Sequence, residues 1–197
     1  MELWDVYDIN KKFTGKVIDR HSEERLKEGE YHLVVEAIII NSKGEILLNK
    51  RSKFKNKYPN MWESTAGSCI KGENNLQSML REIREEIGLD LKIEDLKYEG
   101  YEVKDISEGD FLDREICRIF TYTSGEQVEF NPGPEVEKMV KIRENEFIDV
   151  FIKDGEGLNV INLDDNSEEH KLKKDFCKFG SEYEIILRNR GRDDELI

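Results

Sequence analysis

Three glutamates within a span of five residues, Glu82, Glu85 and Glu86, are the side chains best suited to chemistry in this sequence. They belong to the run 81–89 (REIREEIGL), which follows a segment that begins at Gly67. Clustered carboxylates repel one another, and Mg²⁺ or Mn²⁺ bound between them would reverse that repulsion because both ions prefer oxygen ligands. Such an ion can polarise a phosphoryl oxygen or help to generate hydroxide from water. The spacing therefore indicates metal-assisted chemistry on a phosphate chain.

A helix over residues 74–87 is needed to position these carboxylates. At about 100° per residue, the apolar stripe of this helix consists of Leu76, Leu80, Ile83 and Ile87, with Met79 at its edge. The three glutamates occupy the adjacent sector, so packing the stripe on a sheet leaves them at the rim. Gly88 is the residue type expected just after a helix C-terminus.

Three neighbouring residues could complete a metal site. Gly67 lets the loop before the helix approach a metal closely, and the backbone carbonyl of Ala66 is our candidate for a further ligand. Arg81 can form a forked hydrogen bond to a glutamate of the cluster and hold its rotamer. An acidic helix face is ordinarily only a solvated surface. However, the pattern G-x5-E-x7-R-E-U-x-E-E-x-G-U, in which U is a bulky aliphatic residue, is expected by chance in on the order of one such chain in a million.

This segment resembles the Nudix box at every defining position of that motif. The resemblance implies an α/β/α sandwich and an enzyme that uses Mg²⁺ or Mn²⁺ to hydrolyse a nucleoside diphosphate linked to another group. It implies that Glu82, Glu85 and Glu86 bind the metal, and that Glu85 or a glutamate of a later loop is the general base. It also implies that Arg81 is an orienting residue and that Glu73 closes the loop into the helix.

The segments that flank the box are similar to the isopentenyl-diphosphate-isomerase-like branch of that family. They are residues 2–8 (ELWDVYD), 31–33 (YHL), 50–52 (KRS) and 58–62 (YPNMW). Isomerases of that branch have a catalytic cysteine just before the box glycine and a metal-binding histidine just after it, where this chain has Ala66 and Ser68. Isomerisation needs an acid/base group that moves a proton on carbon. Hydrolysis is therefore expected, and an isomerase-like enzyme or a non-catalytic ligand-binding module is the alternative.

Several residues outside the box are candidates for substrate binding. Arg51, Lys55 and Lys57 lie in one basic loop and could hold substrate phosphates. Glu36 interrupts an apolar strand, where a buried carboxylate is costly, so it either faces the active-site cleft or lies on a solvated face. His32 either has a metal or substrate role or is a polar residue at a strand end.

An additional glutamate from a loop distant from the box is common in Nudix hydrolases. Glu135, which follows the sequence NPGP at 131–134, is our choice here, and Glu137 is the second. Either of them could also be only surface charge.

Composition limits the partners of the protein. The formal net charge of −13 over 197 residues opposes nonspecific binding to nucleic acid or to an anionic membrane. The expected partner is therefore a small-molecule diphosphate.

Three cysteines leave one unpaired, which favours reduced thiols in the cytoplasm, with Cys117 and Cys177 as core thiols. No apolar run approaches the roughly 20 residues of a membrane span.

The predicted elements are strand-rich first and helix-rich late, which favours an α+β domain with a mixed central sheet. An N-terminal hairpin is expected around Trp4 to Val17, and further strands are expected at 31–40, 45–50, 61–66, 97–104, 114–123 and 136–142. Helices are expected at 74–87, 144–152, 168–178 and 182–189, and a turn is expected at 108–110. The chain is interpreted as one domain, with an N-terminal extension at 1–29, a core at 30–155 and a C-terminal helical extension at 156–197. The last helices would pack against the fold or against a homodimer partner.

Overall fold

The computed structural model describes residues 2–55, 57–108, 111–125, 128–177 and 181–193, with the side chains of 106–108, 111 and 191–193 left out. The strands are β1 (Leu3–Tyr7), β2 (Phe13–Asp19), β3 (His32–Asn41), β4 (Glu45–Arg51), β5 (Trp62–Glu63), β6 (Thr65–Ser68), β7 (Lys97–Glu108), β8 (Phe111–Ser124), β9 (Val136–Arg143), β10 (Gly157–Asn162) and β11 (Glu168–Leu172). The helices are α1 (Asn75–Ile87), α2 (Glu144–Phe151) and α3 (Ser181–Asp193). The mixture of strands and helices confirms the predicted α+β class.

The central sheet is mixed and carries helices on both faces. Its strand order is β11-β10-β9-β4-β3-β8-β7, and β5 and β6 add to β4 and β3. Strand β3 runs parallel to β8, whereas its other neighbours are antiparallel. Successive side chains of a strand point to opposite faces, so Val35, Ala37 and Ile39 pack with α1 while Ile38 and Ile40 pack with α2 and α3. The result is the predicted α/β/α sandwich.

Helix α1 begins and ends where its sequence predicts. The Asn74 side chain accepts a hydrogen bond from the backbone of Gln77, whose own side chain accepts one from the Asn74 backbone, so the first turn is capped. Gly88 ends the helix in the left-handed conformation at φ 73°. Met79, Ile83 and Ile87 are fully buried against the sheet. This packing fixes the rotation of the helix and hence the direction of its glutamates.

Strands β1 and β2 form a separate two-stranded sheet, as predicted for the N-terminal hairpin. Val6 and Ile18 of these strands form a small core with Leu26, and Trp4 packs against it. The hairpin is tied to the central sheet by two backbone hydrogen bonds of 2.8 Å between Tyr7 and Tyr31. Among the described residues, no helix is both long enough and apolar enough to cross a membrane.

Two predictions about secondary structure need correction, and a third falls partly outside the described residues. The predicted helix at 168–178 is wrong, because Glu168–Leu172 is strand β11 and pairs with β10, a strand that the sequence did not predict. The turn between these strands contains Asn166 in a left-handed conformation, at φ 56°, so a turn residue in the run Asp164–Ser167 was the missed signal. The single strand expected at 61–66 is two short ones, β5 and β6. Two residues of the expected turn at 108–110 lie outside the described residues.

Candidate active site

A cavity of about 820 Å³ lies where the hairpin, the sheet and the loop between β4 and β5 meet. Of the predicted residues it is lined by Glu36, Arg51, Lys55, Lys57, Ala66, Glu82, Glu86 and Glu135, and also by His32. Glu85 and Glu137 do not line it. The fold therefore brings most of the candidate residues to one place.

The Glu82 carboxylate lies against Gly67. A Cβ atom added to Gly67 would lie 2.0 Å from the Glu82 carboxyl carbon, so any side chain at position 67 would have to displace this carboxylate. The glycine of the pattern thus leaves the space that the first carboxylate of the helix occupies. Burial raises the pKa of Glu82 to about 7, against the opposing effect of Arg81.

Arg81 connects the glycine segment with the helix. Its Nη1 donates to Glu82 Oε1 at 2.7 Å and to Glu85 Oε2 at 3.2 Å, and its Nη2 donates to the Ser68 carbonyl at 2.9 Å. Its Nε donates to both oxygens of Glu73, at 3.1 and 3.2 Å. These bonds hold the rotamers of the surrounding carboxylates, as an orienting arginine would.

Glu86 is the most deeply buried carboxylate of the helix. Its Oε2 accepts 3.3 Å hydrogen bonds from Asn49 Nδ2 and from the Ala66 backbone N–H. Burial, and then repulsion from Glu63 and Glu82, raise the pKa of Glu86. Glu63 is a pocket residue that the sequence reasoning missed, and it follows Trp62 in a strand too short to show a periodic pattern.

Two other glutamates flank this group at the surface. The side chain of Glu85 is 59% exposed and lies at the rim beside Arg81. Glu135 lines the pocket from the loop after Gly133, where an added Cβ would lie 1.9 Å from the Glu85 carbonyl oxygen. The Gly133 N–H donates to the Glu86 carbonyl at 3.0 Å, so this loop is fixed on the end of α1. Glu137 forms an ion pair with Lys50 at 2.9 Å and does not join the site.

The three basic residues predicted to bind phosphate, Arg51, Lys55 and Lys57, each face a carboxylate. Arg51 is paired with Glu63 and Lys55 with Glu135. Lys57 Nζ lies 3.7 Å from Asp113 Oδ1. A substrate phosphate would therefore have to compete with these partners or share them.

The floor of the pocket is formed by strands β3, β8 and β7. Strand register puts His32 opposite Glu115, and Glu115 opposite Lys104. His32, Asp113 and Glu115 offer ligand atoms that all lie within 4.8 Å of one another. The buried His32 Nδ1 has no hydrogen-bond partner among the described residues. Burial raises the pKa of Glu115 to about 8, with repulsion from Asp113 as the next cause.

Glu36 belongs to this floor and faces the cleft, which answers the question left open by its sequence position. It is 5% exposed, its Oε1 accepts a hydrogen bond from the Ser64 hydroxyl, and its Oε2 lies 3.9 Å from Lys104 Nζ. Lys104 also pairs with Glu102 at 2.7 Å and with Glu182 of α3. Cys177 is half-buried at the pocket and not in the core as expected, whereas Cys117 is fully buried as expected.

Both carboxylate groups have the donor chemistry of a divalent metal site. Glu82 and Glu86 repel each other in a buried position, and a cation between them would remove that repulsion. The floor group combines two carboxylates with the His32 imidazole, whose Nε2 lies 3.9 Å from Asp113 Oδ1, and this donor set suits Mn²⁺.

The family model of the NUDIX domain matches residues 30–173. The chain belongs to the Nudix family. This match confirms the predicted resemblance of residues 67–89 to the Nudix box. The similarity to the isomerase-like branch is confirmed as well, since an isopentenyl-diphosphate Delta-isomerase of Escherichia coli is 25% identical over 51% of this chain and 56% of its own.

Relatives named as Nudix hydrolases are more similar. An uncharacterized Nudix hydrolase of Listeria monocytogenes is 46% identical over 45% of this chain and 52% of its own, so the chain spans about half the length of that relative. An uncharacterized Nudix hydrolase of Clostridium acetobutylicum is 27% identical over 95% of this chain and 96% of its own. A crystal structure from Deinococcus radiodurans shares the fold, with a TM-score of 0.58 at 19% identity over 78% of this chain and 90% of its own.

The floor of this Nudix protein is what sequence reasoning found least completely. His32 and Glu36 were candidates, but Asp113, Glu115 and Lys104 were not. The alternation Asp113-x-Glu115 at the start of β8 was an available signal, because alternate residues of a strand share one face. That alternation does not show which strands pair with β8.

Proposed function

We propose that this Nudix protein is a Mg²⁺- or Mn²⁺-dependent hydrolase that cleaves the phosphoanhydride bond of a nucleoside diphosphate linked to another group. The observation that carries the proposal is the contact between Gly67 and Glu82. The glycine leaves space only for that carboxylate, and Glu86 lies buried beside it. A solvated acidic helix face would require neither a glycine that makes room for a carboxylate nor a buried glutamate.

In this proposal Glu82, Glu85 and Glu86 hold the metal, with the Ala66 carbonyl as a further ligand. The bound ion supplies charge neutralisation on the phosphates and activation of water. Arg81 keeps the carboxylates in fixed rotamers through the hydrogen bonds described above. Arg51, Lys55 and Lys57 hold the outer phosphates in exchange for their present carboxylate partners.

The general base is Glu85 or Glu135 in this proposal. Glu135 lines the pocket, and its ion pair with Lys55 joins a phosphate-binding candidate to a base candidate. Substrate phosphate arriving at Lys55 would release the Glu135 carboxylate to accept a proton from water. This coupling would keep the Glu135 carboxylate in its ion pair with Lys55 until substrate binds.

The test is a hydrolysis screen with Mg²⁺ and with Mn²⁺ over nucleotide sugars, dinucleoside polyphosphates, nucleoside triphosphates and coenzyme diphosphates. Wild type is compared with Glu82→Gln, Glu85→Gln and Glu135→Gln, and Glu94→Gln is the control at a side chain that is 73% exposed. We expect activity to fall by about 10³-fold in Glu82→Gln, which removes a metal ligand. A similar fall is expected in whichever of Glu85→Gln and Glu135→Gln removes the general base. No turnover of any class by wild type would overturn the proposal.

Isomerisation of a prenyl diphosphate is a second candidate, and one observation favours it. Position 66 lacks the isomerase cysteine, but Cys177 brings a thiol to the same pocket, 3.8 Å from Glu63. Burial raises the pKa of Cys177 to about 12, so the thiol is protonated at neutral pH. Deuterium incorporation from D₂O into isopentenyl diphosphate, lost in Cys177→Ser, would support this candidate. Its absence in wild type would exclude it.

A cytoplasmic location, independence of nucleic acid and membranes, and a homodimeric state belong to the same proposal. The net charge of −13 supports independence of nucleic acid and of anionic membranes. Sedimentation of the full chain is the measurement for the oligomeric state.

A further inference from the structure

The N-terminal segment forms a wall of the pocket although it precedes the part of the chain that the family model matches. Trp4, Arg20 and Arg25 line the cavity together with Glu82 and Glu86, whereas the match begins at residue 30. Residues 2–26, which we call the N-terminal wall, are therefore an addition to the Nudix core at the place where a substrate would lie.

The N-terminal wall is held rigidly against the floor. The Trp4 and His32 rings are stacked, with centroids 3.9 Å apart and an interplanar angle of 5°. At its other end, Leu26 is buried and its carbonyl accepts a 3.0 Å hydrogen bond from Arg114 Nη1 of β8. Both contacts cross from the wall to strands that carry floor residues. The wall thus has a defined position relative to the floor.

Most of the charged side chains through which the N-terminal wall lines the pocket have a partner. Glu2 is paired with Arg20 at 2.7 Å and Glu24 with Lys16 at 3.0 Å. Asp19 accepts a hydrogen bond of 2.9 Å from the His21 backbone. Arg25 differs, because its Nη1 donates only to the Ser22 carbonyl at 3.2 Å and it forms no ion pair with a carboxylate of the described residues.

The floor of the same pocket is predominantly acidic and disfavours an anion. It carries the carboxylates of Glu36, Asp113 and Glu115, and Lys104 is already surrounded by Glu36, Glu102 and Glu182. An anionic group that lies away from the metal-bound phosphates would be repelled by the floor carboxylates and attracted to the guanidinium of Arg25. Arginine forms forked hydrogen bonds to phosphate and carboxylate alike.

We propose that the N-terminal wall selects the substrate, with Arg25 binding a phosphate or carboxylate on the group attached to the nucleoside diphosphate. This inference rests on the proposed function, since it assigns the part of the substrate beyond the cleaved diphosphate. Arg25 is a specificity residue in this scheme and takes no part in the bond cleavage.

Two pairs of probes separate the two sources of negative charge. NADPH and NADH differ by one phosphate, and UDP-glucuronate and UDP-glucose differ by one carboxylate. Binding is measured by calorimetry in Ca²⁺, after a check that no hydrolysis occurs, for wild type, Arg25→Gln and Arg25→Lys. Arg188→Gln, on the exposed face of α3, is the control for the loss of one positive charge.

We expect wild type to prefer the anionic member of one pair by about tenfold, the size of one charge-assisted hydrogen bond. The preference should disappear in Arg25→Gln, remain in part in Arg25→Lys and remain whole in Arg188→Gln. The responding pair identifies phosphate or carboxylate. No preference in wild type for either pair, or a preference that survives in Arg25→Gln, would overturn the inference. Because binding is read without turnover, this result is separate from the hydrolysis screen.

Discussion

On the Nudix-box side of the pocket the carboxylates come from one helix, and most of the residues that hold them are neighbours in sequence. Glu82, Glu86, Arg81 and Gly67 all lie between residues 67 and 86. On the floor, His32 and Glu36 lie on β3, whereas Lys104 comes 72 residues after His32 and is followed by Asp113 and Glu115. The box side is set by helix geometry and the floor by strand register, so the two sides can be disturbed separately.

Gly67→Ala is expected to have the largest effect, confined to the box side. The new Cβ would lie 2.0 Å from the Glu82 carboxyl carbon and displace it. We expect activity to fall by about 10³-fold, as when a catalytic electrostatic group is removed. Gly125→Ala is the matched control, because its Cβ would meet only a Val128 methyl at 4.0 Å. If both variants keep full activity, the contact with Glu82 has no catalytic importance.

Lys104→Met tests whether the floor is held by its buried charges. Removing the ammonium would leave Glu36, Glu102 and Glu182 without their common cation, and breaking such a buried pair costs about 3–5 kcal/mol. Urea unfolding measures the loss. Lys153→Met, just after the end of α2, is the control, because that lysine is 67% exposed and its partner Asp149 is 61% exposed, so stability should change by less than about 1 kcal/mol.

The pH dependence of the Lys104→Met variant sharpens this test. Without Lys104, the buried carboxylates would have a pKa raised in the folded state relative to the unfolded state. The folded state then binds more protons, so stability should increase as pH falls towards about 4.5. Equal destabilisation at pH 5 and pH 8 would indicate lost packing and not lost charge compensation.

The difference between the two sides explains how much the sequence could predict. Helix α1 was predicted to within one residue because its stripe, its cap and Gly88 are local signals. The direction of Glu82 and Glu86 follows from the same helix. Strands β10 and β11 were missed because the turn signal of Asp164–Ser167 between them was overlooked and because the charged alternation of β11 resembles a solvated helix.

The floor could be predicted only in part, for a physical reason. A strand's sequence shows which residues share a face but not which strand lies beside it. The parallel pairing of β3 with β8 puts His32 next to Glu115 across 83 positions, and no local pattern encodes that distance. Pairing of Lys55 with Glu135 was likewise unpredictable, since it depends on the loop fixed by Gly133 at the end of α1.

Asp113→Asn tests whether the floor holds a metal of its own. Titration with Mn²⁺, followed by electron paramagnetic resonance, should show two classes of site in wild type if both carboxylate groups bind. Loss of this carboxylate should weaken one class by about 10- to 100-fold and leave the other unchanged. Glu82→Gln should weaken the other class. A single class of site, unaffected by Asp113→Asn, would leave the metal role to the box side alone.

Glu73→Gln is expected to have the smallest effect, on the stability of the box side. Although burial raises the pKa of Glu73, hydrogen bonds from Arg81 and Ser78 hold it below its usual value. A carboxylate with a depressed pKa stabilises the fold above the unfolded-state pKa of about 4.5, and this contribution is lost as pH falls through the folded-state pKa. At pH 7 the variant should lose about 1 kcal/mol, the typical worth of such a bond. The difference from wild type should shrink below pH 4.5 in urea unfolding. A difference that stays constant with pH would show that Glu73 stabilises the loop through packing, and that the box side is not held by the charge of this residue.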